Sequence, residues 1–450
     1  MSKRNVFWFR RDLRLNDNAG LYHALKGDYP VLAVFIFDRH ILDKLQDKAD
    51  ARVQFLHKTL QALKEELQSL GSDLLVKYGT PEEVWPEIIA EFEINAVYTN
   101  HDYESYAIKR DAKVAEILAQ NGQSFHTFKD HVIFEKLEVT KDDGLPYTVF
   151  TPYSRKWRAK LASRMAGGES TYSGLAKSYY LESYPNERYF DQWAKQLKTA
   201  AIPSLADIGF EPAAIEYPST EVSQKKIKAY ADTRNFPAID GTSKLGLHFR
   251  FGTISIREKA RKSLGLSDVF LSELIWRDFY AMILANFPHV EKKAFRAKYE
   301  NIPWRNNEAE FKKWCEGQTG YPIVDAGMRE LNNTGYMHNR VRMITASFLT
   351  KHLLIDWRWG EAYFAEKLLD FDLSSNNGGW QWAAGCGTDA APYFRVFNPT
   401  SQMTKFDKEK KYIKEWVPEY GTAAYQEPMV DHKMARERCL AVYKEALNNN

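Results

Sequence analysis

At 450 residues, 44% hydrophobic and 27% charged, the chain has the size for two or three domains and the composition of a soluble globular protein. No apolar run approaches the roughly 20 residues that cross a bilayer, and the opening MSKRNVFWFRRDLRL is too charged for a secretory signal. The net charge is only +3, and three widely separated cysteines, Cys315, Cys386 and Cys439, exclude a disulfide framework or a cysteine metal site and point to the cytosol.

The first 130 residues alternate two patterns. VFWF (6–9), VLAVFIF (31–37), DLLVKY (73–78) and AVYT (96–99) predict buried strands, while RVQFLHKTLQALKEELQSL (52–70) and YAIKRDAKVAEILAQ (106–120) carry apolar residues at helical spacing. Such alternation implies a parallel sheet with helices on both faces. RRDLRLNDN, not a glycine-rich turn, follows the first strand, which disfavours a conventional dinucleotide site. Residues 131–202, with KDDGLPYTVFTPYSRKW and SYYLESYPNERYF, are rich in turn formers and tyrosine and read as a long surface connection. From 203 onward nearly every segment reads as helical. The expected fold is thus α/β followed by all-α: an α/β domain over 1–130, a connector over 131–202 and a helical domain over 203–450, ending in a frayed tail at Asn448–Asn450. The basic surplus falls after residue 130, and eight of the twelve tryptophans lie between Trp276 and Trp416. Polyanions and flat molecules are therefore expected to meet the C-terminal part.

Four constellations there could carry chemistry. GTSKLG (241–246) combines small hydroxyl residues, glycines and Lys244 at a predicted helix start, a seat for phosphate, although ordinary N-caps share that composition. In ELIWRDFY (273–280), Glu273, Trp276, Arg277 and Tyr280 share one helical face, either as a surface pair beside a buried indole or as a cavity wall. In YMHNRVRM (336–343), Asn339 and Met343 are i, i+4 neighbours able to hold a polar and an apolar edge of one ligand. DFDLSSNNGGWQW (370–382) mixes Asp370, Asp372, Asn376, Asn377 and two glycines with Trp380 and Trp382, a mixture suited to a cofactor pocket rather than to a core.

Taken together, these segments resemble the photolyase/cryptochrome family. The resemblance runs from FWFRRDLRLNDN (7–18) through TGYPIVDAGMREL (319–331) to NNGGWQWAAGCGTDAAPYFRVFNPTSQ (376–402). It implies a Rossmann-like antenna domain, a helical domain holding a U-shaped FAD, and blue-light chemistry. The residues look most like those of class I enzymes that repair cyclobutane pyrimidine dimers. Met343 matches the methionine these enzymes set against the dimer, where relatives acting on (6–4) photoproducts have His and DASH-type cryptochromes have Gln. Asn376 matches the asparagine facing the flavin N5, where insect and plant cryptochromes have Cys or Asp. Both choices favour repair over the alternative, a signalling cryptochrome.

Carried over residue by residue, the resemblance implies FAD contacts from Tyr230, Thr242, Ser243, Lys244, Leu245, Gly246, Arg277, Arg342, Asp370, Phe371, Asp372 and Asn376. It implies a dimer cavity lined by the catalytic residues Glu273, Trp276, Asn339, Met343 and Trp382. Arg234, Arg340, Arg395 and Gln402 would meet UV-damaged DNA, and Trp304, Trp357 and Trp380 would carry electrons to the flavin, whose reduced form, FADH⁻, is the active one. Gly246 departs from the serine of many relatives. Tyr106 and Ala107 stand where folate-antenna relatives have Asn-Glu, which disfavours a folate antenna and leaves a deazaflavin, another flavin or no antenna. The expected protein is a monomeric, cytoplasmic DNA-repair lyase of bacterial type that meets no membrane.

Overall fold

The computed structural model describes residues 3–163, 175–195, 197 and 199–448. Within it, Cα proximity separates the chain into two compact units. The first comprises Met1–Glu135, Arg158–Thr220 and Leu245–Gly265, the second Lys136–Trp157, Glu221–Lys244 and Leu266–Asn450.

The first unit is built on a five-stranded sheet of β1 (Arg4–Phe9), β2 (Val31–Asp38), β3 (Leu74–Gly79), β4 (Ile94–Asn100) and β5 (Ser124–Phe128), in the order β3-β2-β1-β4-β5. Every pairing is parallel. Period-two alternation gives each face its own core. Phe7, Phe9, Ala33, Phe35 and Phe37 pack against α1 (Ala19–Leu25) and α2 (Ala51–Ser69). Val6, Trp8, Leu32, Val34 and Ile36 pack against α3 (Pro81–Glu91) and α4 (Ser105–Gln120). The four expected strands and two expected helices are present, but β5, α1 and α3 were not expected. β5 is a largely exposed edge strand whose sequence, SFHTF, contains no apolar run. A Thr80–Glu83 capping box starts α3, and Pro86 lies inside it.

RRDLRLNDN is a buried ionic network rather than a ligand loop. Arg10 pairs with Asp111 and donates to the Asn100 carbonyl, filling the ground beyond the β1 and β4 ends where open parallel sheets bind dinucleotides. Arg14 meets Asp130 at 2.7 Å, and Asp17 accepts from Arg257 Nε at 2.9 Å. Asn18 caps α1.

These contacts move the expected boundaries. Leu245–Gly265 was expected in a helical domain over 203–450, yet it groups with the sheet. The cause is Arg257, which bridges buried Asp17 and Asp130, together with a Leu13 N–H donated to the Phe251 carbonyl at 3.0 Å. The expected connector, 131–202, is no simple surface strap. It is helical over Phe150–Ala162 and its Trp193 is buried beside the sheet, with Ala194 N–H donating to the Val31 carbonyl at 2.9 Å. Tyrosine, proline and asparagine gave that stretch a loop-like composition, while Trp157 and Trp193 anchor it. Residues 203–223 are irregular rather than helical, with helices resuming at Gln224. Of the expected tail, Asn449 and Asn450 lie outside the described residues.

The second unit is helical. Its site-bearing elements are α5 (Asp268–Asn286), α6 (Pro322–Thr334), α7 (Asn339–Ser347), α8 (Trp357–Lys367), α9 (Leu373–Ala384) and α10 (Pro399–Phe406). Side-chain caps start three of them: Ser267 accepts from Phe270 N–H, Asp356 from Arg358 N–H and Asp372 from Ser375 N–H. α6, α7, α8 and α9 share one core, to which Val324, Met328, Val341, Ile344, Phe364 and Trp380 belong. Two glycines permit close approach within it. A Cβ at Gly327 would stand 2.3 Å from Val341, and one at Gly360 would stand 2.1 Å from the Trp380 ring. No described helix is long and apolar enough to cross a membrane.

Candidate active site

Three helices of the second unit converge on a cavity of about 420 Å³, within the roughly 300–1,000 Å³ typical of small-molecule sites. Each turns a helical stripe toward it: Glu273, Trp276, Arg277 and Tyr280 from α5; Asn339, Arg342, Met343 and Ala346 from α7; Ser375, Asn376, Gly379 and Trp380 from α9. Asp370, Phe371, Asp372 and Trp382 complete the wall with Arg234, Phe364 and Leu368. All five residues expected to be catalytic therefore lie on one surface, beside six of the expected cofactor contacts.

The charges are mostly paired. Arg342 Nη2 meets Asp370 Oδ2 at 2.9 Å, and its Nε donates to the Met337 carbonyl at 2.7 Å. Burial presses the Arg342 pKa down, but the Asp370 carboxylate outweighs it and the net shift is upward. Glu273 shows the opposite balance. Burial raises its pKa, and an ion pair with Arg234 offsets only part of that rise. Trp276 lies flat on Phe150, with centroids 3.7 Å apart, and Tyr280 leans on Trp276 at 5.4 Å.

GTSKLG, expected to seat a phosphate, is divided between the two units. Thr242 Oγ1 lies 3.0 Å from the Tyr336 hydroxyl, and Lys244, at φ 53°, sits 5.2 Å above the same ring. Leu245 and Gly246 group with the first unit, where Leu245 is buried and Gly246 opens the short helix Gly246–Phe251. Tyr230 is buried under Arg234, 5.5 Å from its ring. Asn376 lines the cavity while its Nδ2 donates to the Glu361 carbonyl at 3.0 Å. Asn377, expected to share that role, turns into the core instead, where Val290 and Gln381 satisfy its amide.

The arginines form one electrostatic neighbourhood. After burial, the charges of Arg234 and Arg395 are what lower the Arg340 pKa. Arg340 Nη2 reaches Asn235 Oδ1 at 2.7 Å, and its guanidinium lies 4.5 Å from the Phe406 ring at the end of α10, the helix that carries Gln402. Arg395 is exposed. Trp357 and Trp380 belong to the shared core, with Trp304 packed against it. The rings against Trp380 are Phe364 at 4.9 Å and Trp314 at 6.0 Å.

Sequence reasoning missed Phe150, Tyr336, Phe364 and Trp314. Phe150 and Trp314 reach the site neighbourhood only through tertiary packing. Phe364 was findable, since it stands four residues after Gly360 on the buried face of α8.

The residues fit a flat, hydrogen-bonding cofactor such as the isoalloxazine of FAD. Asp370 Oδ1 is buried at the wall without a partner, an acceptor for a ring N–H or a ribityl hydroxyl. At Gly379 a Cβ would meet nothing within 4 Å, so the backbone there leaves room for a ring.

Residues 5–169 match the DNA photolyase domain model, and residues 270–423 match the model of the FAD binding domain of DNA photolyase. A deoxyribodipyrimidine photo-lyase of Halobacterium salinarum is 38% identical, over 98% of this chain and 99% of its own. Among solved structures, a bacterial class III photolyase from Agrobacterium tumefaciens superposes with a TM-score of 0.82 at 31% identity, covering 99% of this chain and 98% of that one. An archaeal photolyase from Sulfolobus tokodaii, solved with two FAD molecules, superposes at 0.81 with 35% identity, covering 98% and 100%. With both family models matched and a relative 38% identical along nearly its whole length, the chain belongs to the DNA photolyase family.

Proposed function

We propose that this protein is a light-driven lyase that splits cyclobutane pyrimidine dimers in DNA, as class I members of the family do. One observation carries the reading: Glu273, Trp276, Asn339, Met343 and Trp382 line a single cavity with the Arg342–Asp370 pair, and Arg234 lies in its wall within the field of Arg340. When bound, reduced FAD would supply an electron on absorbing blue light. Asp370 would accept from the cofactor through its unpartnered Oδ1, with Arg342 fixing the carboxylate and Asn376 at the ring edge.

The protein's work is then to extract and hold the lesion. A pyrimidine dimer stacks and pairs poorly, so turning it out of the duplex costs on the order of a few kcal/mol, less than for an intact base. Arg234, Arg340 and Arg395, with Gln402, would hold phosphates and fix the register without reading sequence. Trp276, held flat by Phe150, and Trp382 would wall the dimer, while Met343 fills its apolar side. Asn339 and Glu273 would meet its polar edge. Splitting returns the electron, so no net oxidation or reduction results.

The antenna reading extends to the first unit. The Tyr106 hydroxyl is committed to Asp38, and Ala107 is buried. Neither offers the amide and carboxylate of folate-binding relatives, which supports a deazaflavin, a second flavin or no antenna.

The test uses reduced, FAD-loaded protein and an oligonucleotide carrying one thymine dimer. Thymine absorbance should recover under blue light and not in the dark. Met343→His should cut that recovery while FAD stays bound. A loaded protein that restores no thymine in light refutes the dimer assignment.

A further inference from the structure

Two residues given separate tasks are bound to each other in the free protein. Arg234, a phosphate contact by expectation, forms an ion pair with Glu273, a contact for the pyrimidine edge. Their side chains are 22% and 29% exposed, so the pair stands in the cavity wall and is neither buried for good nor fully screened by water. Arg234 holds Glu273 through Nη1, so a phosphate that draws the guanidinium away leaves the carboxylate without its cation, and an ionised Glu273 cannot donate to a pyrimidine carbonyl.

We propose that Arg234 and Glu273 form a phosphate-operated switch: an arriving DNA phosphate takes the Arg234 guanidinium, the Glu273 carboxylate takes a proton from a buffer acid in the solvent, and the resulting carboxylic acid donates to a carbonyl of the flipped dimer. The inference rests on the repair reading above. Every bond is accounted for. A guanidinium–carboxylate contact is exchanged for a guanidinium–phosphate contact, one O–H bond forms on Glu273 as the buffer acid loses its proton and becomes its conjugate base, and no electron moves.

The surroundings favour that order of events. Arg234 lies 5.5 Å over the Tyr230 ring, a face along which a guanidinium can shift while staying in contact. Arg340, the neighbouring guanidinium, is held by Asn235, so it is not poised to replace Arg234 on the carboxylate. Besides Arg234, the charged groups lining the cavity with Glu273 are Arg277, Arg342, Asp370 and Asp372. Tyr230 stands under Arg234, and Tyr280 lies two turns along α5; burial pushes both hydroxyls up and keeps them neutral. Arg277, one turn along α5, and Arg342, on α7, line the same cavity, where Asn339 and Met343 are uncharged. Burial already raises the Glu273 pKa while Arg234 opposes the rise, so removing Arg234 moves the carboxyl further toward its protonated form.

The consequence is selectivity by linkage. A dimer meets a hydrogen-bond donor only when its own phosphate has arrived, which couples backbone engagement to recognition of the lesion. Because the bound state holds the proton more tightly, affinity is greatest at low pH and falls by up to about tenfold per pH unit between the free and bound pKa values.

The experiment is calorimetric titration of the full-length, FAD-loaded protein in the dark, near neutral pH, in buffers of different ionisation enthalpy. The probes are a duplex carrying one thymine dimer and the same duplex undamaged, with light-driven repair of the dimer duplex measured in parallel. Wild-type protein should take up about one proton per dimer duplex bound. Glu273→Gln should bind with no uptake and a flat pH profile. Arg234→Met should bind more weakly, with no uptake and a salt slope smaller by about one. Binding and repair without proton uptake would overturn the switch and leave the repair reading standing, as would uptake that persists in Glu273→Gln. A wild-type protein that neither prefers nor repairs the dimer duplex brings down the repair reading and the switch together.

Discussion

The adjacent glycines Gly378 and Gly379 in α9 give opposite expectations for the same added methyl. A Cβ at 378 would stand 2.2 Å from Tyr280 Cδ1 and 2.3 Å from Cε1. Ordinary carbon contacts begin near 3.4 Å, so α9 or the ring must move by roughly 1 Å. At 379 a Cβ would meet nothing within 4 Å. Either alanine gains up to about 1 kcal/mol of helix propensity. In Gly378→Ala, overpacking of about 1–3 kcal/mol opposes that gain, since Tyr280 already leans on Trp276 at 5.4 Å. The apoprotein should lose about 1 kcal/mol net. In Gly379→Ala nothing opposes it, and the apoprotein should melt higher. The new methyl, however, points into the cavity proposed for FAD. Even about 1.4 kcal/mol of steric loss would weaken FAD binding tenfold. Thermal unfolding of apo and FAD-loaded forms, with FAD retention read from its absorbance, separates the two cases. Gly379→Ala protein that binds FAD as tightly as wild type would refute the placement of the cofactor against α9.

Three further outcomes follow from the packing. Lys351 is 1% exposed, with Nζ donating to the Arg395 carbonyl at 2.9 Å, and burial lowers its pKa from 10.5 to about 8. A lysine with a depressed folded-state pKa costs stability below that value, and the cost fades as pH rises toward 10.5. The cost here is about 3 kcal/mol, less about 1 for the hydrogen bond. Lys351→Met should therefore melt above wild type at pH 7, with the gap closing by pH 10, and an unchanged midpoint at pH 7 counts against the argument. Arg342→Met leaves the Asp370 carboxylate without its partner. Because the two side chains are 24% and 18% exposed, the loss should be about 2 kcal/mol rather than the 3–5 of a fully buried pair. FAD retention should fall with it, and adding Asp370→Asn should recover part of the melting temperature. Trp304→Phe should slow photoreduction of oxidised flavin but spare repair by enzyme already reduced. Undiminished photoreduction would redirect the search to Trp314, 6.0 Å from Trp380.

The sequence by itself determined the architecture and which side chains share a helical or strand face. Period-two apolar runs such as VLAVFIF place alternate side chains on the two faces of a sheet whatever the rest of the chain does. Helical spacing likewise put Glu273 beside Trp276 and Asn339 beside Met343 before any contact was known, because i, i+3 and i+4 positions share a face by geometry alone. Partners distant in the chain were decided only by tertiary structure. RRDLRLNDN reads as a charged loop, yet buried Asp17 and Asp130 require a cation, and Arg257 supplies it, drawing Leu245–Gly265 to the sheet. Asn376 and Asn377 are equivalent in sequence, and helical rotation turns one to the cavity and the other to Val290 and Gln381. Glu273 and Arg234 could each be given a task from sequence, but their mutual pairing is a contact across 39 positions that no local pattern encodes. Local periodicity fixes which way a side chain faces. The charge, ring or backbone group it meets there depends on segments folded in from elsewhere.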